Sequence, residues 1–191
     1  MLRLRYDTPG HWSDLVLADL DGFLSDHAHN ERKVAHTALL MARQNPRETE
    51  IVDAMIALAQ EELGHFRDVH ELIKARGGRL GFDGPDAYMN ALLKATRKAD
   101  VGGYLLDRLL AFGVVEARGC ERFSMLADAL PEGELKTFYQ ELTRCEARHH
   151  ALFVRLAKGR FPAAEVDARL DELLTVEAEI VRSQPLRPTL H

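Results

Sequence analysis

Cysteine is nearly absent from this 191-residue chain, positive charge is not in excess, and no long apolar run occurs; each lack removes a class of protein. Cys120 and Cys145 are the only cysteines, and both fall within helical patterns rather than at loop spacings. A disulfide framework is therefore not expected, and reduced, buried thiols are. No stretch approaches the roughly 18 apolar residues that a membrane span needs, and the first residues lack the apolar core of a secretory signal. A cytoplasmic protein without a membrane partner is the expectation. With 25 Lys and Arg against 30 Asp and Glu, the net charge of -5 argues against coating nucleic acid through bulk positive charge, while leaving room for a local basic patch.

What is present is ordinary for a globular core: 46% apolar and 29% charged residues. That length and composition suffice for one domain, expected over 1-191 with a loose tail near 186-191. Apolar residues recur at three- and four-residue steps in most of the chain, which predicts helices. A short leading helix is expected over 11-26. The next, over 30-44, carries Glu31, Val34, Ala35, Ala38, Leu39 and Ala42 on its stripe and ends at Asn45-Pro46. A longer one over 48-75 aligns Ile51, Met55, Leu58, Glu62, His65, Val69 and Leu72 before Arg76-Gly77-Gly78.

Residues 77-86 hold the densest glycine cluster and mark a break between two halves. Beyond it come a short helix over 87-98, then one from about 100 to Pro131 with Leu105, Leu109, Phe112, Glu116, Cys120 and Phe123 in a row. The helix over 132-158 aligns Leu135, Tyr139, Leu142, Glu146, His149, Phe153 and Leu156. A last one covers 163-182.

Two of these helices carry a Glu and a His three apart, Glu62 with His65 and Glu146 with His149. On a helix that spacing aims a carboxylate and an imidazole at one point. Each pair is preceded by a lone glutamate on an apolar stripe, Glu31 lying 31 residues before Glu62 and Glu116 lying 30 before Glu146. This is the donor set of dinuclear carboxylate sites in helix bundles, where two Glu-x-x-His pairs meet two single glutamates. Buried carboxylates without partners are costly, so four on apolar stripes require either compensating cations or exposure, and their matched offsets favour metal ions. Oxygen-rich ligation with two imidazoles suits iron first and manganese second.

Several residues compete for roles. Glu121 could replace Glu116, but shares its face with Arg118 and Met125. His27 could support Glu31 or add a ligand, although a lone histidine near a helix start is more often a surface residue. Tyr139 is assigned to core packing. Cys120 and Cys145 are excluded as ligands because they would add soft donors to a complete hard set, and His29, His36, His70, His150 and His191 receive no role.

The runs DHAHNERKVAHTAL, EELGHF, FGVVEARGCERF and CEARHHALF together resemble the MiaE-type tRNA hydroxylases, which are ferritin-like di-iron enzymes. The resemblance covers roughly residues 10-185 and implies an all-α, ferritin-like antiparallel four-helix bundle with additional flanking helices. It implies two iron ions held by Glu31, Glu62, His65, Glu116, Glu146 and His149, with dioxygen as co-substrate. It also implies hydroxylation of the isopentenyl group of 2-methylthio-N6-isopentenyladenosine beside the anticodon of tRNA. No G-x-G-x-x-G signature is present, so electrons are expected from a separate reductase. Candidate phosphate contacts are Arg76, Arg79, Lys94, Arg97, Lys98, Arg118 and Arg122. Alternatives are a ferritin-like ferroxidase or peroxidase, a hydroxylase of a free lipid or quinone, and a helical bundle without enzymatic activity.

Overall fold

The computed structural model describes residues 3-98 and 100-191, and these form seven α-helices with no strand among them. They are α1 (Trp12–Ala18), α2 (Leu20–Gln44), α3 (Thr49–Ala75), α4 (Ala87–Lys94), α5 (Val101–Ala129), α6 (Glu134–Arg160) and α7 (Ala163–Ser183). Two compact units divide them. One comprises the described residues up to Asp14, Asp86–Leu186 and His191; the other comprises Leu15–Pro85 and Arg187–Leu190.

In the Leu15–Pro85 unit, α2 and α3 pack as an antiparallel hairpin. Arg76 at the end of α3 pairs with Asp21 at the start of α2, Nε to Oδ1 2.7 Å, and the mid-helix residues Glu31 and His65 face each other. The interface is built from Phe23, Leu24, Ala28, Ala35, Ala38 and Met41 of α2 and Ile51, Met55, Leu58, Ala59 and Val69 of α3. The expected α2 stripe was partly misplaced, since Leu39 is 50% exposed while Met41 is buried. The first helix boundary also differs from the sequence pattern. The break falls at Asp19, whose carboxylate accepts from the Gly22 amide and caps α2, so that α2 starts ten residues earlier than the apolar rhythm suggested. α3 stops at Gly77, whose φ of 77 requires glycine and lets the Gly77 and Gly78 amides satisfy the carbonyls of Lys74 and Ile73.

In the other unit, α5 and α6 form a second antiparallel hairpin, and α4 and α7 pack against α5. α5 is buried continuously from Leu105 to Cys120, a stretch that includes the charged Asp107, Arg108, Glu116 and Arg118 as well as the expected apolar row. α6 is amphipathic, burying Tyr139, Leu142, Glu146, His149, Phe153 and Leu156 along one stripe. Tyr88, Leu92, Ala111 and Val115 make a further apolar cluster, with Met89, Ile180 and Val181 at its edge. α4 ends at Lys94, earlier than expected, where Asp107 captures the following residues: its carboxylate accepts from the Arg97 amide at 2.6 Å and from the guanidinium groups of Arg97 and Arg169.

The expected loose tail is instead tied down at two points. The Leu190 amide donates to Asp26 Oδ2 at 2.7 Å, and the His191 ring stacks on Tyr88 with centroids 5.0 Å apart. No described helix is long and apolar enough to cross a membrane.

Candidate metal centre

Each unit brings together one lone glutamate and one Glu-x-x-His pair. In the α2–α3 hairpin, donor atoms of Glu31, Glu62 and His65 all lie within 4.8 Å of one another. His65 Nδ1 is 3.2 Å from Glu62 Oε2 and 3.6 Å from Glu31 Oε2. Both carboxylates are buried, and the His65 ring is nearly so. In the α5–α6 hairpin the donor atoms of Glu116, Glu146 and His149 meet the same criterion, and all three residues are buried. There His149 Nδ1 approaches Glu146 Oε2 at 3.5 Å, so the same ring nitrogen faces the same carboxylate in both Glu-x-x-His pairs.

The electrostatics of these clusters is that of sites made for a cation. Burial should depress the His65 imidazolium, yet the hydrogen bonds it donates to Glu31 and Glu62 outweigh it and push its pKa up to about 11. A proton is thus held where two carboxylates converge. Burial also opposes charge on Glu31, but its contacts with Glu62, His27 and His65 lower its pKa to about 2. In the other hairpin, Glu146 Oε2 is buried and accepts no hydrogen bond. Two carboxylates and an imidazole nitrogen in each cluster, with no thiolate among them, fit iron or manganese better than a closed zinc site.

His27 corrects the sequence reading. It is not near a helix start but about two turns into α2, fully buried beside Phe23, and its Nε2 lies 2.6 Å from Glu31 Oε1. Of the two Glu31 oxygens, Oε1 faces His27 and Oε2 faces His65. The sequence signal was the i, i+4 spacing from His27 to Glu31 on the buried stripe, obscured by the misplaced helix start.

Glu121, the competitor of Glu116, is engaged elsewhere. Its oxygens accept from the Thr8 amide at 2.8 Å, from the Thr8 hydroxyl at 2.7 Å and from Arg118. Arg118 itself is wholly buried: Nε and Nη2 reach the two oxygens of Glu177 at 2.8 and 3.0 Å, and Nη2 also donates to the Tyr6 carbonyl. Arg122 lies over the Trp12 ring, and burial with the nearby Arg118 charge pushes its pKa down to about 10. Neither arginine can meet a phosphate, which overturns two of the expected RNA contacts. Arg97 and Arg76 are exposed but paired with Asp107 and Asp21.

Cys120 is buried as expected, whereas Cys145 is only half-buried. Burial raises the Cys120 pKa to about 11 and its Sγ donates to the Thr143 carbonyl, so it stays a neutral thiol. Three histidines given no role turn out to be structural: His29 bonds the Gly81 carbonyl, His150 the Gly113 carbonyl, and His191 stacks on Tyr88. Tyr139 packs on Phe123 with centroids 5.5 Å apart.

Helical hairpins with inward Glu and Glu-x-x-His donors define a ferritin-like protein of the oxygenase class. The whole chain superposes on Protein 43 from Synechococcus, a protein with aldehyde deformylating oxygenase activity, with a TM-score of 0.93 at 34% identity, covering 100% of this chain and 96% of that one. Residues 2–191 match the family model described as tRNA-(MS[2]IO[6]A)-hydroxylase (MiaE), and the chain belongs to that family. Two relatives carry the name tRNA 2-(methylsulfanyl)-N(6)-isopentenyladenosine(37) hydroxylase. The one from Pseudomonas putida is 34% identical over 92% of this chain and 85% of its own. The one from Salmonella typhimurium is 37% identical over 70% of this chain and 48% of its own. This chain is accordingly an oxidoreductase of the hydroxylase type.

Proposed function

We propose that the protein hydroxylates the isopentenyl group of 2-methylthio-N6-isopentenyladenosine next to the anticodon of tRNA, working in the cytoplasm with electrons from a separate reductase. The observation that carries this reading is the pair of matched buried clusters, Glu31–Glu62–His65 and Glu116–Glu146–His149, in a chain of this family. We assign these six residues as the ligands of two iron ions. Iron bound there supplies the activation of dioxygen needed to insert one oxygen atom into a C–H bond, which no protein side chain can do alone.

The chain's own residues have three tasks. His27 fixes Glu31 Oε1 and leaves Oε2 toward His65, so the carboxylate is oriented before any ion arrives. His65 holds a proton at Nδ1 that must leave when the nitrogen becomes a ligand, so metal uptake releases a proton. Met55, Leu58 and Ala59 in one hairpin, and Phe112 and Phe153 in the other, exclude water from the donors and offer an apolar surface to a prenyl chain.

The decisive experiment compares the modified nucleosides of tRNA from cells with and without the gene. Loss of the hydroxylated adenosine on deletion is expected. Its persistence, in cells without a second such enzyme, would remove the assignment. Glu116→Ala is expected to lower bound iron in purified protein while far-ultraviolet dichroism stays near wild type. A second reading, oxygenation of an aldehyde, is favoured by the full-length likeness to the Synechococcus protein. It predicts turnover of an aldehyde by the iron-loaded enzyme with reductant, and no change in tRNA nucleosides on deletion.

A further inference from the structure

Two of the charges buried outside the metal clusters are neutralised by ion pairs: Arg118 is joined to Glu177, and Asp107 to Arg169 and Arg97. Arg108 on α5 is different. It is 8% exposed, its Nη1 donates to the Tyr104 hydroxyl at 2.9 Å, and its guanidinium lies over the rings of Tyr104 and Phe112, 5.6 and 5.2 Å from their centroids. Its Nε meets no acceptor, and among the described residues no carboxylate pairs with it. Burying a cation without a counter-ion costs stability. Aromatic faces and one neutral hydroxyl offset part of that cost. A fold that needed only bulk at this position would be served better by leucine or methionine.

Arg108 also stands on the line that leads to a metal cluster. Tyr104, Arg108, Phe112 and Glu116 follow one another at four-residue steps along α5, each about 6 Å further along the helix than the last. Val101, at the start of α5, is 84% exposed and Tyr104 is half-buried, so the row begins at the surface. Phe112 stacks on Phe153 of α6 with centroids 6.0 Å apart, and Phe153 lies one turn from His149. The order inward is therefore hydroxyl, cation, aromatic pair and metal donors. It matches a prenylated nucleotide entered tail first, with the apolar chain at the donors, the base on the rings and a phosphate at the guanidinium. Arg108 and Glu116 are about 12 Å apart along the helix, which leaves room for such a ligand to span them. An enzyme acting on a base takes its nucleotide out of the stack, and the phosphate attached to that nucleotide travels with it.

We propose that Arg108 binds a phosphate flanking the prenylated adenosine, with the Tyr104 hydroxyl as a second donor to the same group. The proposal rests on the tRNA reading above and adds the residue that anchors the substrate nucleotide. A guanidinium keeps its charge when buried, and its fork of donors matches a phosphate. Tyr104 accepts from Arg108 and retains its own proton to donate. The incoming anion supplies the counter-charge that the folded chain does not.

The test uses the iron-loaded protein under anaerobic conditions and an anticodon stem-loop RNA bearing 2-methylthio-N6-isopentenyladenosine. Three forms of the RNA are compared: one with its natural backbone, and two in which a neutral methylphosphonate replaces the phosphate on the 5′ or the 3′ side of that nucleotide. Fluorescence anisotropy gives the affinity of each for wild type and for Arg108→Met. Loss of a charge-assisted hydrogen bond should weaken wild type at least about tenfold for one of the two methylphosphonates. Arg108→Met should bind the natural RNA as weakly as wild type binds that methylphosphonate, and should not distinguish the two. Its iron content should match wild type, and its melting temperature should equal or exceed that of wild type, because a charge without a counter-ion has been removed. Wild type indifferent to both methylphosphonates, or a variant as sensitive to them as wild type, overturns the inference and leaves the tRNA reading in place. A clear fall in the melting temperature of the variant overturns it too, since the guanidinium would then serve the fold. Wild type that neither binds the natural RNA nor, given oxygen and reductant, hydroxylates it overturns the tRNA reading and this inference with it.

Discussion

His27 shows how a single buried side chain changes the meaning of its neighbour. Without it, Glu31 would present two equivalent oxygens; with it, one oxygen is already occupied. His27→Phe keeps the ring volume beside Phe23 and removes the hydrogen bond. It is expected to weaken iron binding by about 10- to 100-fold, as loss of a supporting partner does at other metal sites, measured by titration of the apoprotein with ferrous iron. On a Glu31→Ala background the same change should add little, because His27 acts through Glu31. Arg118 is the second such residue. Arg118→Leu strands Glu177 in a fully buried position and should destabilise the unit by about 3-5 kcal/mol in urea unfolding. Replacing both residues by leucine should recover much of that loss, because the penalty lies in the orphaned charge.

Between helices, α5 and α6 approach closely at Gly113. A Cβ on Gly113 would lie 3.3 Å from Phe153 Cβ and 3.6 Å from His150 Nδ1, so the helices are spaced for glycine there. Gly113→Leu is expected to cost roughly 1-3 kcal/mol by overpacking, read as a lowered denaturant midpoint. The capture of the α4–α5 link by Asp107 makes a pH-dependent contribution. Burial opposes ionisation of Asp107, but hydrogen bonds from Arg169 and Arg97 prevail and its pKa is lowered in the folded chain. Its stabilising effect is therefore complete above the ordinary carboxylate range and fades as pH falls through the lowered value. Asp107→Asn should unfold more easily than wild type at pH 7, with the difference shrinking toward pH 3, as followed by urea midpoints at each pH.

These elements also show what could be read from the chain alone. The rows on α5 and α6 were legible because a helix packed against neighbours repeats its apolar residues at the packing period, and the glutamates and His149 fell into register with them. Glu31 was legible for the same reason, yet its helix start was not: an Asp cap at residue 19 and a polar run through His27, His29 and Asn30, all three of the latter buried, shifted the expected break between the first two helices from residue 19 to residues 27-29. Arg118 and Arg122 looked like surface cations because their partners, Thr8, Glu177 and the Trp12 ring, lie far away in sequence. Only folding brings such groups together, so no local pattern could reveal them.

For the molecule as a whole, the family, the fold and the clusters bear on one property, the binding of metal. Iron that binds the folded chain and not the unfolded one adds stability through mass action. The iron-loaded protein is expected to melt at a higher temperature than protein stripped by chelator, and Glu62→Ala/Glu146→Ala should erase that difference. Scanning calorimetry of the four samples checks it. The stripped wild type should remain helical, since the apolar rows of both hairpins do not depend on an ion.

Arg118 ties α5 to the Tyr6 carbonyl and Thr8 hydroxyl on one side and to Glu177 on the other, partners separated from it by 112, 110 and 59 residues in sequence. Closing such distant links cannot precede the arrival of the chain's two extremities, which makes their docking a late event in assembly and slow by comparison with hairpin formation. Amides around Tyr6 and along α7 should thus gain exchange protection after those of α2, α3, α5 and α6 when refolding is pulsed with deuterium.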